Sequence, residues 1–195
     1  MIRIGILGDI GSGKSYVAKN FGYPVFNADY EVSKLYQKNK KIYQKLNKLL
    51  PEYIYEFPVN KMKLSKAILA NNSNLKKIIT VVHKEIRDKM KSFLKKNRNK
   101  KFVILDIPLL LENKIDKKKD ILVYVQSKKS DILRNLNKRK NFNIKILKKF
   151  KKIQLPLVYK KKKSSFIIIN KFNKKSVKDG VTNILKIIND ERNSP

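Results

Sequence analysis

The stretch IRIGILGDIGSGKS, residues 2–15, constrains this chain more than any other. Its first half, Ile2–Leu7, is a short apolar run of the kind that forms a buried strand. Three glycines follow within six residues, at Gly8, Gly11 and Gly13. Glycines so placed build no core; they free the backbone so that something can lie against it. From Ser15 the segment SYVAKNFG reads as a helix closed by Gly22. A buried strand, a glycine loop and a helix, in that order, open an α/β fold.

The loop fits the pattern G-x-x-x-x-G-K-[ST] from Gly8 to Ser15. Backbone N–H groups freed by glycine can turn inward around a phosphate, and the start of the next helix adds its positive end. Lys14 can then reach the terminal phosphates, and Ser15 can ligate Mg²⁺. Gly11, Ser12, Gly13, Lys14, Ser15 and Tyr16 are therefore expected to bind ATP, with Mg²⁺ as cofactor.

The rest of the chain continues the same architecture. YPVFNAD, residues 23–29, reads as a second short strand with a carboxylate at its end. Residues 30–99 carry apolar side chains at intervals of three and four, so they read as several helices and no strand. KFVILDIP, residues 101–108, is the strongest strand pattern, and DILVYV, residues 120–125, is the next. Helical patterns follow over 130–139 and 144–153, then the last strand SSFIIIN at 164–170 and an amphipathic helix over 177–189. Five short apolar strands separated by helices imply a five-stranded parallel sheet covered by helices on both faces. Pro156 and the four lysines at 160–163 interrupt the pattern, and this stretch reads as mobile.

Composition bounds the class. A chain of 195 residues suffices for one domain with an inserted subdomain. The absence of cysteine excludes a disulfide-stapled fold and a thiolate metal site. No stretch approaches the ~20 apolar residues of a membrane span, and the N-terminal apolar run is too short for a signal sequence. A cytoplasmic protein without a membrane partner is expected. The formal charge of +33 raises the question of nucleic acid. The lysines are spread along the whole chain, and no basic–aromatic stripe marks a groove. Solvated faces with an attraction for phosphorylated small molecules account for them better.

Two carboxylates carry the chemistry further. Asp106 ends the apolar run FVILD, where an acid at a strand tip can hold the metal through water. Asp29 follows the second strand and should share the sheet edge of the phosphate loop. There it could take the proton of an attacking hydroxyl, or it could simply cap the next helix.

The motifs IGILGDIGSGKS, VFNAD, VVHKEIRDKM, LDIPLLLENKID and KIQLP followed by KKSSFIIIN resemble, in this order, those of dephospho-CoA kinases. The resemblance runs from about Ile2 to Asn170. It implies a P-loop kinase that phosphorylates the ribose 3′-hydroxyl of dephospho-CoA with ATP, the last step to coenzyme A. It also implies roles. Asp29 would be the catalytic carboxylate, and His83 and Arg87 would bind dephospho-CoA. Arg139 would stabilise the transferring phosphoryl from a lid, in competition with Arg134, Lys138 and Lys140. Gln154, Pro156 and Asn170 would lie near the adenine side and the last strand. The expected layout is a core of residues 1–30, 100–130 and 164–195, a helical substrate subdomain at about 31–99 and a lid at about 131–163.

Three positions depart from the family pattern. Asn27 replaces the first acid of an Asp-Ala-Asp, Lys84 follows His83 where proline is usual, and Asp9 occupies a loop position where glycine is common. Two other readings remain open on the sequence: a P-loop kinase of another phosphorylated or nucleoside-like small molecule, and a basic nucleic-acid-binding ATPase.

Overall fold

The computed structural model describes residues 1–139 and 142–193. Its elements follow in the order β1 (Ile2–Gly8), α1 (Lys14–Asn20), β2 (Val25–Asn27), α2 (Ala28–Lys38), α3 (Lys40–Leu49), α4 (Lys61–Ala70), α5 (Asn72–Lys96), β3 (Phe102–Asp106), β4 (Ile121–Gln126), α6 (Lys129–Asn137), α7 (Ile144–Lys152), α8 (Leu157–Lys163), β5 (Phe166–Ile169) and α9 (Lys174–Asn193). The strands form one sheet in the order β2-β3-β1-β4-β5, and every neighbouring pair is parallel.

Alternation along the strands decides what each face buries. Ile4 and Ile6 of β1, Phe102 and Ile104 of β3, Val123 and Val125 of β4 and Ile168 of β5 share one face. Val17, Ala18 and Phe21 of α1 close over them, together with Val177, Val181, Ile184 and Ile188 of α9. The intervening residues face the other way. Gly5 lies there against the side chains of Leu110 and Leu122, and α8 packs on β1 and β4. At the opposite end of the strands, Arg3 donates to Asp120 at 2.8 Å and to the Ile115 carbonyl at 2.9 Å.

The chain divides into two compact units. One comprises Met1–Asn27, Asn97–Phe142 and Ile153–Pro195 and holds the sheet. The other comprises Ala28–Lys96 and Asn143–Lys152 and holds helices and no strand among the described residues. Within the second unit α5 packs on α2, α3 and α4, and α7 packs on α4. Lys149 of α7 donates to the Leu69 carbonyl at 3.2 Å.

Two expectations need correction. The second strand stops at Asn27, and Ala28–Asp29 already belong to α2, so Asp29 is a helical residue in a first turn. The stretch after Pro156 is ordered as α8, and one of its lysines is not solvated. Lys160 is 1 % exposed and meets Glu112 at 2.7 Å, while Lys161, Lys162 and Lys163 are exposed. Glu112 also accepts from the Leu155 N–H at 2.9 Å, which ties the start of α8 to the loop after β3. A buried lysine needs such a partner, since an unpaired ammonium in the interior is costly.

Candidate active site

Because all five strands run the same way, their carboxyl ends share one edge. Gly8, Asn27 and Asp106 are the last residues of β1, β2 and β3, while Ser127 and Asn170 immediately follow β4 and β5. In open parallel α/β sheets this is the edge at which ligands bind.

The loop after β1 needs glycine on two counts. Gly8 and Gly13 have φ of 143° and 89°, conformations that side chains rarely adopt. A Cβ on Gly8 would also sit 2.6 Å from the Val125 carbonyl oxygen, and one on Gly13 would sit 2.3 Å from Asn170 Nδ2. The Lys14 ammonium spans the loop, donating to the carbonyls of Asp9 at 2.7 Å and Gly8 at 3.3 Å. Asp9 does not leave its charge undirected: its Oδ1 accepts from the Ile10 N–H at 2.7 Å. Its charge, after burial, is the second cause that raises the Tyr124 phenol above its ordinary pKa. Tyr16, on the first turn of α1, is 46 % exposed.

Asn27 and Asp106 are direct register partners across β2 and β3. The Asn27 amide donates to Asp106 Oδ2 at 2.5 Å, and it lies 3.5 Å from Ser15 Oγ. Asp106 is 3 % exposed, so its orientation is set by that contact and by the strand. The departure at position 27 thus supplies a neutral donor where an acid would have set two carboxylates side by side. The oxygens of Ser15 and Asp106 suit a hard cation. Among the described residues no group of three or more His, Cys, Asp or Glu could cage a metal. One carboxylate and one hydroxyl fit an ion such as Mg²⁺, which keeps waters and takes phosphate oxygens.

In the helical unit, Asp29 is exposed on the first turn of α2, where a negative charge complements the helix dipole. Burial, and then the charge of Asp29, raise the pKa of Tyr36. Glu31 on the same turn meets Lys34 at 3.3 Å and Lys89 of α5 at 3.2 Å, which fastens α2 to α5. Thr80, His83, Lys84, Arg87, Asp88 and Lys91 line an open groove of about 390 Å³ along α5. Their spacing of three and four puts them on one helix face. His83 is half-buried, and its pKa is lowered by burial and then by Arg87, so the ring is neutral at pH 7. The helix α5 runs unbroken from Asn72 through His83, and Lys84 at a mid-helix position permits this, since proline there would remove a hydrogen bond.

Arg139 is exposed one residue past the C-cap of α6, and its N–H donates to the Leu136 carbonyl at 3.0 Å. Arg134, its competitor for the lid role, is paired with Asp131 at 2.6 Å. Lys140 lies outside the described residues. The structure therefore brings Lys14, Ser15, Asn27 and Asp106 together. Ser127, which donates to the Ser12 carbonyl at 3.0 Å, was missed in the sequence. A polar residue directly after a parallel strand is the signal that marks it, as it marks Asn170.

The family model for dephospho-CoA kinase matches residues 2–176. The chain belongs to the dephospho-CoA kinase family. A relative from Wolbachia sp. subsp. Brugia malayi, a dephospho-CoA kinase, is 34 % identical over 129 residues, 64 % of this chain and 66 % of the relative. The aligned stretch is thus just under two thirds of that relative's length. The crystal structure of TT1252 from Thermus thermophilus superposes with a TM-score of 0.78 at 25 % identity, covering 95 % of this chain and 96 % of that one. The dephospho-CoA kinase from Campylobacter jejuni shares the fold at a TM-score of 0.62 and 18 % identity, over 95 % and 96 % of the two chains. For this family member the sheet order and the loop after β1 are those of a P-loop kinase.

Proposed function

We propose that this chain transfers the γ-phosphoryl group of ATP to the ribose 3′-hydroxyl of dephospho-CoA, giving ADP and coenzyme A. The observation that carries this reading is the cluster at one sheet edge: a glycine loop spanned by Lys14, with Ser15, Asn27 and Asp106 beside it, in a dephospho-CoA kinase family member.

In this reading Gly11, Ser12, Gly13, Lys14, Ser15 and Tyr16 hold ATP. Ser15 and Asp106 hold Mg²⁺, which supplies charge neutralisation on the phosphates. Asn27 keeps one oxygen of Asp106 occupied and so orients the other. Asp29 accepts the proton of the 3′-hydroxyl as its oxygen bonds to the γ-phosphorus and the bond to the β-phosphate oxygen breaks. His83 and Arg87 bind dephospho-CoA, the first as a neutral hydrogen-bonding ring and the second as a cation with the fork geometry that suits phosphate. The helical segment at about 31–99 serves as the substrate subdomain. The lid at about 131–163 excludes water and presents Arg139 to the phosphoryl in transit. The reaction belongs in the cytoplasm, where ATP and Mg²⁺ are supplied.

The test is a transfer assay with ATP, Mg²⁺ and a panel of acceptors that includes dephospho-CoA, other nucleotides and nucleosides. Transfer to dephospho-CoA is expected, and preference for another acceptor would sink the substrate assignment. Asp29→Asn is expected to keep ATP binding and lose about 10²-fold or more in kcat. Near-normal turnover in that variant would return Asp29 to a helix-terminal charge.

A further inference from the structure

The Ser12 carbonyl at the crown of the phosphate loop is held from two strands at once. Ser127 Oγ, just past β4, donates to it at 3.0 Å, and Asn170 Nδ2, just past β5, donates at 2.9 Å. The Asn170 amide has no rotational choice. Asn170 is 2 % exposed, and its Oδ1 accepts from the Phe172 N–H at 2.8 Å, which leaves the amino group to face the loop. The Asn170 N–H itself donates to the Gln126 carbonyl at 2.8 Å, so the residue is fixed to the end of β4. Phe172 adopts φ 56° to complete this turn. Ser12 is 1 % exposed, so water does not compete for its carbonyl.

A planar trans peptide points its C=O and its N–H in opposite directions. Two donors on the Ser12 carbonyl therefore fix where the Gly13 N–H points: away from the strand tips, to the side that the phosphate-loop reading gives to phosphate. Without them, glycine on one side of the peptide would let it flip at small cost. Gly13 also cannot carry a Cβ without displacing Asn170 Nδ2.

We infer that Asn170 and Ser127 are positioning residues for ATP: they lock the Ser12–Gly13 peptide in the orientation that presents the Gly13 N–H to a phosphate oxygen. The inference rests on the phosphate-loop reading of residues 8–15. It assigns to the last two strands a role in nucleotide affinity that does not require either side chain to touch ATP.

ATP affinity is measured by calorimetry on the full chain as wild type, Asn170→Asp, Asn170→Ala, Ser127→Ala and Lys14→Ala, with KM for both substrates and Tm recorded alongside. Asn170→Asp is nearly isosteric but sets an oxygen against an oxygen, and it is expected to weaken ATP binding by roughly ten- to hundredfold. Ser127→Ala leaves one donor in place and is expected to weaken it about three- to tenfold. In both variants KM for dephospho-CoA stays at the wild-type value, which a general loosening of the fold would not allow. ATP affinity within twofold of wild type in Ser127→Ala and in whichever Asn170 variant folds overturns the inference. So does a parallel rise of both KM values with a fall in Tm. If no Asn170 variant folds, Ser127→Ala decides alone. ATP binding that is absent in wild type, or unchanged in Lys14→Ala, overturns the phosphate-loop reading itself. Binding lost in Lys14→Ala and kept in the other variants overturns the positioning role only.

Discussion

In the function proposed above, the phosphate loop would act through its backbone and the α5 groove through the ends of long side chains. The loop has Ser12 buried, Lys14 folded onto two carbonyls, and glycines at positive φ beside Val125 and Asn170. The groove has Lys84, Arg87 and Asp88 exposed on a helix that would form whatever they recognised. The first arrangement is preorganised, so a ligand meets donors already aimed. The second must order its side chains at some cost in rotamer entropy when it binds. A backbone site should be intolerant of steric change and a side-chain site tolerant of it. Three measurements sharpen or break that contrast.

The largest effect is expected from Gly13→Ala, which removes no charge and no donor. It forces an alanine into φ 89° and a Cβ to within 2.3 Å of Asn170 Nδ2. Loss of about 10²-fold or more in ATP affinity is expected from strain and the broken contact together. Normal ATP binding in this variant would show that the loop is not held as described.

Arg87→Ala comes next. It should raise KM for dephospho-CoA about tenfold, leave KM for ATP unchanged and leave Tm close to wild type, because the side chain is exposed. A comparable loss in both KM values would mean that the groove is not a separate substrate site.

The smallest effect concerns His83. An unfolded histidine titrates near 6.5, and burial and then Arg87 put the folded value lower. Between the two values the unfolded chain holds more protons, so stability rises with pH there. The contribution of a neutral His83 is full at neutral pH and declines as pH falls below about 6.5. Urea midpoints at pH 7.5 and 5.5 should therefore diverge more in wild type than in His83→Gln. Equal divergence would place the ring in solvent and remove it from the groove.

Much of this molecule could be read without coordinates. The β1 strand, the glycine loop, the number of strands and their parallel arrangement follow from short apolar runs separated by helical periodicity. The face shared by His83 and Arg87 follows from their spacing of four. Asp29 illustrates the limit: its nearness to a strand end was legible, but the start of α2 at Ala28 was not, because Asn27-Ala28-Asp29 serves a strand end and a helix start equally well. The lysines illustrate another. A run of four at 160–163 reads as solvated because lysine is rarely buried, and nothing local marks Lys160 as the one that finds Glu112.

The sequence by itself determined the phosphate loop, the strand–helix alternation and the family, because each is written in neighbouring residues whose spacing backbone geometry fixes. Only the tertiary structure decided which distant polar groups meet. Asn27 reaches Asp106 across 79 residues because β2 pairs with β3 in one register. Asn170 reaches the Ser12 carbonyl across 158 residues because β5 lies beyond β4 in the sheet. Such pairings depend on strand order and register, which are set by the packing of the whole core, and a local pattern carries no trace of them.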